Sequence, residues 1–400
     1  MALTAARLDR ISASPTVAMR MVAARLAAEG RDILRVSSGE PDFDTPRHIR
    51  DAAHAAIEAG ETRYTDTAGT PALRRAVAER FRQDSGLDYR PEETIVATGG
   101  KQVIFNALLA TIDEGDEAII PTPTWVSYPD IVKLAGGVPV TVECGPNRGF
   151  RLGAEQLEAA ITPRTKWLIL NNPGNPTGTA YSAEDLRPLT EVLLRHPQVW
   201  VLTDDIYDKL VYDGFRVATV LQAEPRLRER TVTMNGCSKS YAMTGWRIGY
   251  AGAPVPLVKA MDKLQGQSTS NPSSISQAAA LAALSGPQDC VAQMRAAYQR
   301  RRDMVVPLLD AAPGLRCPMP EGAFYVFPDL RGCLGRTSAG GARIGTDSDF
   351  VTALLAEEGV ATVPGSAFLA PGHFRLSYAA DDAVLREACL RIGRFCAGLR

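Results

Sequence analysis

Between about residues 45 and 300, short apolar runs rich in β-branched residues alternate with segments whose apolar positions recur at helical spacing. The runs at 94–98, 117–121, 138–142, 166–170, 199–203, 231–235 and 248–252 are the strand candidates. Between them, Pro71 opens a helix on which Leu73, Val77 and Phe81 recur every four residues, so one face is apolar and belongs to a core. This alternation predicts an α/β fold, with a mostly parallel seven-stranded sheet covered by helices over residues 45–300. After about residue 300 the pattern changes, with the basic run Arg300, Arg301 and Arg302, a strand-like run at 323–327 and a terminal helix from about Asp381. Residues 301–400 are expected to join residues 1–44 in a smaller α+β domain built from both chain ends. Residues 332–345, rich in Gly, Arg and Ser, read as a flexible surface loop, and no internal repeat is present.

Four hundred residues, 45% apolar and 22% charged, are long for one core and suit one large and one smaller domain with a deep site between elements. With 44 basic against 45 acidic residues the net charge is −1, which gives no electrostatic reason to expect nucleic acid or an anionic membrane as partner. Small molecules are the expected ligands. The seven cysteines are odd in number and scattered without a close pair, which fits reduced thiols in a cytosol rather than a zinc site or redox couple. The N-terminus carries Arg7, Asp9 and Arg10 without an apolar core segment, and no apolar run is of spanning length. A soluble, cytoplasmic protein is the expectation. His48, His54, His196 and His373 show no ligand spacing, so no metal is expected.

The chemistry is densest where a strand run ends at Asn235 and Gly236, Cys237, Ser238, Lys239 and Ser240 follow, with Arg247 eight positions beyond the lysine. A lysine on a small-residue turn with a nearby guanidinium is the arrangement needed to form a Schiff base with pyridoxal phosphate while the arginine holds the phosphate. Lys239 and Ser alone would read as a solvated surface pair; the longer run does not. Gly99 and Gly100 join a strand to a helix, and their exposed N–H groups form a phosphate cradle, although paired glycines also make ordinary tight turns. Asp204 ends a strand, where an open α/β sheet puts its ligand groups, and a carboxylate there can pair with the pyridine nitrogen. Asp205 competes with it as a helix cap, and Asp204 is preferred. Tyr207 can hydrogen-bond the ring's phenolic oxygen or be a core tyrosine. Asn175 sits in the rigid turn Asn171, Asn172, Pro173, Gly174, Asn175, Pro176, from which its amide can donate to the same oxygen or satisfy its own backbone. Trp125 follows another strand end and can stack on the ring or simply pack.

Taken together, these blocks resemble the class I aminotransferases among the fold-type I pyridoxal phosphate enzymes. The likeness covers nearly the whole chain and is greatest to prokaryotic-type aspartate aminotransferases, including relatives that accept prephenate. It runs through Ser38, Gly39, Glu40, Pro41 and Asp42, through Tyr64 with Ala68 and Gly69, through Asn175 to Gly178, through Thr203 to Tyr207, and through Phe374 to Tyr378. The resemblance implies that Lys239 is the Schiff-base lysine and general acid/base. It also implies that Asp204 is the pyridine partner, Tyr207 and Asn175 the ring-oxygen partners, and Arg247 the phosphate anchor. Arg375 would clamp the substrate α-carboxylate with Gly39 and Asn175 assisting, though on residues alone it is only a charge on a strand. Tyr64 would reach the phosphate of a neighbouring subunit in a homodimer with shared active sites. The family often has serine at the position of Gly236, and Ser238 is the hydroxyl that can substitute for it. No arginine occurs at 267–272, where animal-type enzymes bind the distal carboxylate. Lys101 is the candidate for that task, and with Thr16 it resembles the pair used by prephenate-accepting relatives.

The expected reaction is ping-pong transfer of an amino group from an L-amino acid, aspartate first, to 2-oxoglutarate. Aromatic amino acids or prephenate are the nearest alternative. A pyridoxal phosphate lyase or γ-substituting enzyme is the rival on the same scaffold, because fold and lysine do not fix which bond breaks.

Overall fold

The computed structural model describes residues 3–13 and 15–400, without the side chains of residues 15, 16 and 20. Seven strands form the main sheet: β1 (Thr94–Ala97), β2 (Glu117–Thr122), β3 (Val138–Glu143), β4 (Thr165–Asn171), β5 (Trp200–Asp204), β6 (Thr231–Gly236) and β7 (Gly249–Gly252). Each lies within about a residue of its expected span; in all but the partly exposed edge strand β3 the runs are buried on both faces of a helix-covered sheet. Their order is β1-β7-β6-β5-β4-β2-β3. All neighbours are parallel except β7, which runs antiparallel to both β1 and β6. The carboxyl ends of β2, β4, β5 and β6 therefore open on one edge, where the turns carrying Trp125, Asn175, Tyr207 and Lys239 begin.

The helix Pro71–Ser85 starts as its sequence dictates. The Thr70 hydroxyl accepts from the Leu73 N–H at 3.3 Å, proline sits in the first turn, and Gly86 closes the helix in the left-handed region at φ 67°. Leu73, Val77 and Phe81 all face the core, each fully buried apolar side chain contributing roughly 1.5–3 kcal/mol relative to exposure.

A second apolar core gathers Val36, Tyr298, Phe324, Phe350, Phe374 and Phe395 from the two chain ends. Leu34 and Arg35 pair in parallel with Val360 and Ala361, and Tyr325–Val326 pairs with Phe374–Ser377. Arg301 joins the ends further: Nη1 and Nη2 each donate at 2.8 Å to the Asp42 carboxylate, and Nε donates to Asp382 at 2.7 Å. Arg301 is thus a buried tie within the helix Asp289–Asp310, while Arg300 beside it is exposed. Tyr207, Leu210 and Tyr212, from the chain just after β5, also enter this second core.

Residues 332–345 depart from the flexible loop expected of them. Cys333 and Ile344 are fully buried, Thr337 bridges Arg343, and the Ser338 hydroxyl donates to Glu357 at 2.5 Å. Two apolar anchors in a run of small residues suffice to fold it down. Among the described residues no helix is long and apolar enough to cross a membrane.

Candidate active site

A cavity of about 270 Å3 opens where the two cores meet at the sheet's carboxyl edge. Lys239 reaches it from the single-turn helix Cys237–Ser240 that follows β6, and its ammonium donates to the Gly39 carbonyl at 2.6 Å. Burial lowers the Lys239 pKa to about 8, with Glu40 and Asp204 favouring the charged form and Arg247 and Arg375 opposing it. A primary amine held there is neutral and nucleophilic at a pH where a solvated lysine is not.

Asp204, at the end of β5, is buried in the cavity wall. Its Oδ2 accepts from the Tyr128 hydroxyl at 2.5 Å and its Oδ1 from the Ile206 N–H at 3.3 Å. Burial raises its pKa to about 6, against the pull of these donors and of Lys239, so the carboxylate is ionised at neutral pH. Asp205 turns away and accepts from the Thr203 hydroxyl at 2.5 Å. The choice between the two neighbours follows from the period of a strand, which sends successive side chains to opposite faces.

At the other end of the cavity Gly99 precedes the helix Gly100–Leu109, whose first N–H groups have no intrahelical acceptor. Gly99 has φ 87°, and a Cβ there would lie 2.2 Å from Nη2 of Arg247. The guanidinium and the helix N-terminus are thus packed together only because position 99 lacks a side chain, and both favour an anion. Gly249, which begins β7, serves the same end: its Cβ would fall 2.2 Å from the Gly100 nitrogen. Ser238, Gly100, Lys101 and Arg247 all line the cavity.

Arg375 is buried and sits between the rings of Tyr325 and Phe368, at 4.5 and 4.9 Å from their centroids. Its Nη1 donates to Asn175 Oδ1 and its Nη2 to the Ser37 carbonyl, both at 2.8 Å, while the buried Nε–H has no partner. Asn175 is fixed in turn, its N–H donating to Asn171 Oδ1 at 2.8 Å, which leaves its own amide N–H groups available. The Tyr207 hydroxyl lies 2.8 Å from that of Tyr325. Lys101 stands 4.8 Å over the Trp125 ring, its pKa lowered by burial and by Arg247.

The cavity thus unites Gly39, Gly100, Lys101, Trp125, Asn175, Asp204, Tyr207, Ser238, Lys239, Arg247 and Arg375 of the residues singled out in the sequence. Gly99 stands directly behind its wall. Tyr64 is apart, 90% exposed on the surface of its own chain. Thr16 falls in the helix Pro15–Ala28, with its side chain outside the described residues, while the neighbouring Val17 lines the cavity. Tyr128, Tyr325 and Ser37 were not singled out. Tyr128 had a signal, since it lies in the first turn of the helix just after Trp125, at the same strand end. Tyr325 and Ser37 had none, because only the pairing of distant segments brings them to Arg375.

The cavity combines a helix N-terminus and guanidinium that suit a dianionic phosphate, a buried carboxylate able to pair with a protonated ring nitrogen, a lysine amine, and a second, buried guanidinium with a donor free. Residues 31–392 match the family described as aminotransferase class I and II. The chain is 58% identical over its whole length to the whole of an aspartate/prephenate aminotransferase from Cereibacter sphaeroides. Among solved structures it is similar to the aspartate aminotransferase of Rhizobium meliloti, with a TM-score of 0.97, 54% identity and full coverage of both chains. It is also similar to that of Thermus thermophilus with maleate, with a TM-score of 0.92 and 43% identity over 99% of this chain and 100% of the other. The chain belongs to the class I and II aminotransferases, and its cofactor is pyridoxal phosphate.

Proposed function

We propose that this class I and II aminotransferase moves the amino group of L-aspartate to 2-oxoglutarate by a ping-pong mechanism, in a homodimer in the cytoplasm. The observation that carries the reading is the convergence of Lys239, Asp204, Arg247 and Arg375, from four separate segments, on one cavity. When bound, pyridoxal phosphate supplies an aldehyde that takes up the amino group and a ring that withdraws electrons from the substrate's Cα.

The chain's own residues do the rest. Arg247, Ser238 and the N–H groups after Gly99 would hold the phosphate; Asp204 would keep the ring nitrogen protonated; Tyr207 and Asn175 would donate to the ring oxygen; Trp125 would cover the ring face. Arg375 offers its unpartnered Nε–H and remaining Nη–H to the substrate α-carboxylate, with Asn175 and the Gly39 backbone beside it. That grip would hold the α-carboxylate away from the labile position and leave the Cα–H bond, rather than the bond to the carboxylate, facing Lys239. The Lys239 amine would take the Cα proton on its Nζ and hold it for return on the same face, as its lowered pKa suits a base near neutral pH.

Lys101 is the group proposed for the distal carboxylate, a reading supported by its ammonium at the cavity wall and by the maleate, a dicarboxylate, in the similar Thermus enzyme. Lys101→Ala is expected to cut kcat/KM for aspartate by about 10- to 100-fold, the worth of a hydrogen bond to a charged group, and to change that for phenylalanine far less. Steady-state assays with the two donors check this, and an equal loss for both would assign Lys101 to the cofactor instead. Prephenate as the acceptor is a second reading, favoured by the name of the Cereibacter relative, and would draw on Lys101 with Thr16.

Exposed Tyr64 supports the dimer, in which it would reach the partner's phosphate. Seven free cysteines, six of them buried, support a reducing cytoplasm. Two apolar clusters on the main sheet, distinct from the cluster that gathers the chain ends, support a division of the chain into a large unit, residues 45–300, and a smaller one from residues 1–44 and 301–400.

A further inference from the structure

The carboxylate of Asp204 is surrounded by few groups that favour its charge. Tyr128 faces it from the helix Ser127–Leu134, Lys239 from the helix after β6, Tyr207 from the turn after β5, and Asp205 from its own strand end. Tyr207 is engaged with Tyr325, and Asp205 repels. Only Tyr128 gives the carboxylate a short side-chain hydrogen bond, at 2.5 Å; the second donor, the Ile206 N–H, is at 3.3 Å. Tyr128 is 1% exposed, and its ring meets Trp125 edge-on at 5.2 Å and 84°, so its hydroxyl has one fixed aim. A donor to a buried charge counts for more than one on a surface.

We propose that Tyr128 is a positioning residue whose hydroxyl keeps the Asp204 carboxylate ionised and aimed into the cavity, and so governs how firmly the cofactor's ring nitrogen is held. The proposal rests on the reading of Asp204 as the ring-nitrogen partner. It adds a consequence for the turn into the helix Ser127–Leu134: Trp125, just before that helix, and Tyr128, in its first turn, would act together, one on the ring face and the other through the carboxylate at the ring edge.

Tyr128→Phe removes only the hydroxyl and leaves the ring against Trp125. Equilibrium dialysis of the holoenzyme over the neutral pH range, for wild type, Tyr128→Phe, Asp204→Asn and the double variant, tests the idea. Tyr128→Phe is expected to weaken cofactor binding about 10- to 100-fold at neutral pH. Loss of the donor raises the pH at which Asp204 takes up a proton, so on acidification the variant should release cofactor at a higher pH than wild type. The double variant should bind no worse than Asp204→Asn, because the hydroxyl then has no charge to hold. Wild-type affinity and pH dependence in Tyr128→Phe, or losses that simply add in the double variant, would overturn the proposal and leave the Asp204 reading intact. Wild-type affinity in Asp204→Asn would remove that reading and the proposal with it.

Discussion

Lys239→Ala is expected to lower turnover by about 10^4-fold, the upper end of the range for loss of a positioned proton-transfer group, while the protein stays folded and retains part of its cofactor. Partial retention follows from the proposed roles, because Arg247, the helix N-terminus at Gly99 and Asp204 would hold the cofactor independently of the lysine. Removing the side chain also takes away a buried ammonium, so the fold loses little by the change. Wild-type protein gives a companion result. An amine-acylating reagent should modify Lys239 of the cofactor-free protein half-maximally near pH 8, whereas a solvated lysine would require about 10.5. The sign follows from burial, which disfavours the ammonium; the reactive neutral amine therefore forms at lower pH. Turnover near the wild-type rate in Lys239→Ala, measured with coupled oxo-acid assays, would end the proposed role.

Arg375→Ala should produce the next largest effect, a fall in kcat/KM of about 10^2- to 10^3-fold for every amino-acid donor, with a rise in KM. The guanidinium is built for one more partner. Aromatic rings enclose it on two sides, two of its N–H groups are anchored to Asn175 and Ser37, and its Nε–H is buried without an acceptor. A substrate carboxylate relieves that last deficit, and an alanine cannot. Because the interaction depends on the α-carboxylate, a primary amine lacking that group should react with variant and wild type at similar low rates. An equal loss for both amines would mean that Arg375 only supports the fold.

The strands were legible because their apolar runs are buried on both faces, and the helix from Pro71 because proline, spacing and cap agree. The reversal of β7 was not legible, since local hydrophobicity is the same for either direction. Of the site, Lys239, Asp204, Asn175, Arg247 and the Gly99 turn announce themselves by residue type at strand ends, the positions where an open sheet presents ligand groups. Arg375 required the resemblance, for its role depends on Asn175, Ser37, Tyr325 and Phe368, all remote in sequence except the last. Tyr325 depends on strand register, pairing with Ser377, and no periodicity encodes that. The burial of Arg301 and Arg302 was not legible either, because Asp42, Asp382 and Asp213 are brought to them from distant segments, with Asp303 adjoining on the same helix.

The account's central claim is that this cavity transfers an amino group and keeps it between two half-reactions. The measurement that tests it most directly is to mix purified holoenzyme with L-aspartate alone, with no oxo-acid acceptor, and to count products per active site. One equivalent of oxaloacetate without ammonia, followed by a halt that 2-oxoglutarate relieves, is the predicted result. Continuous product formation without an acceptor, or release of ammonia, would contradict it.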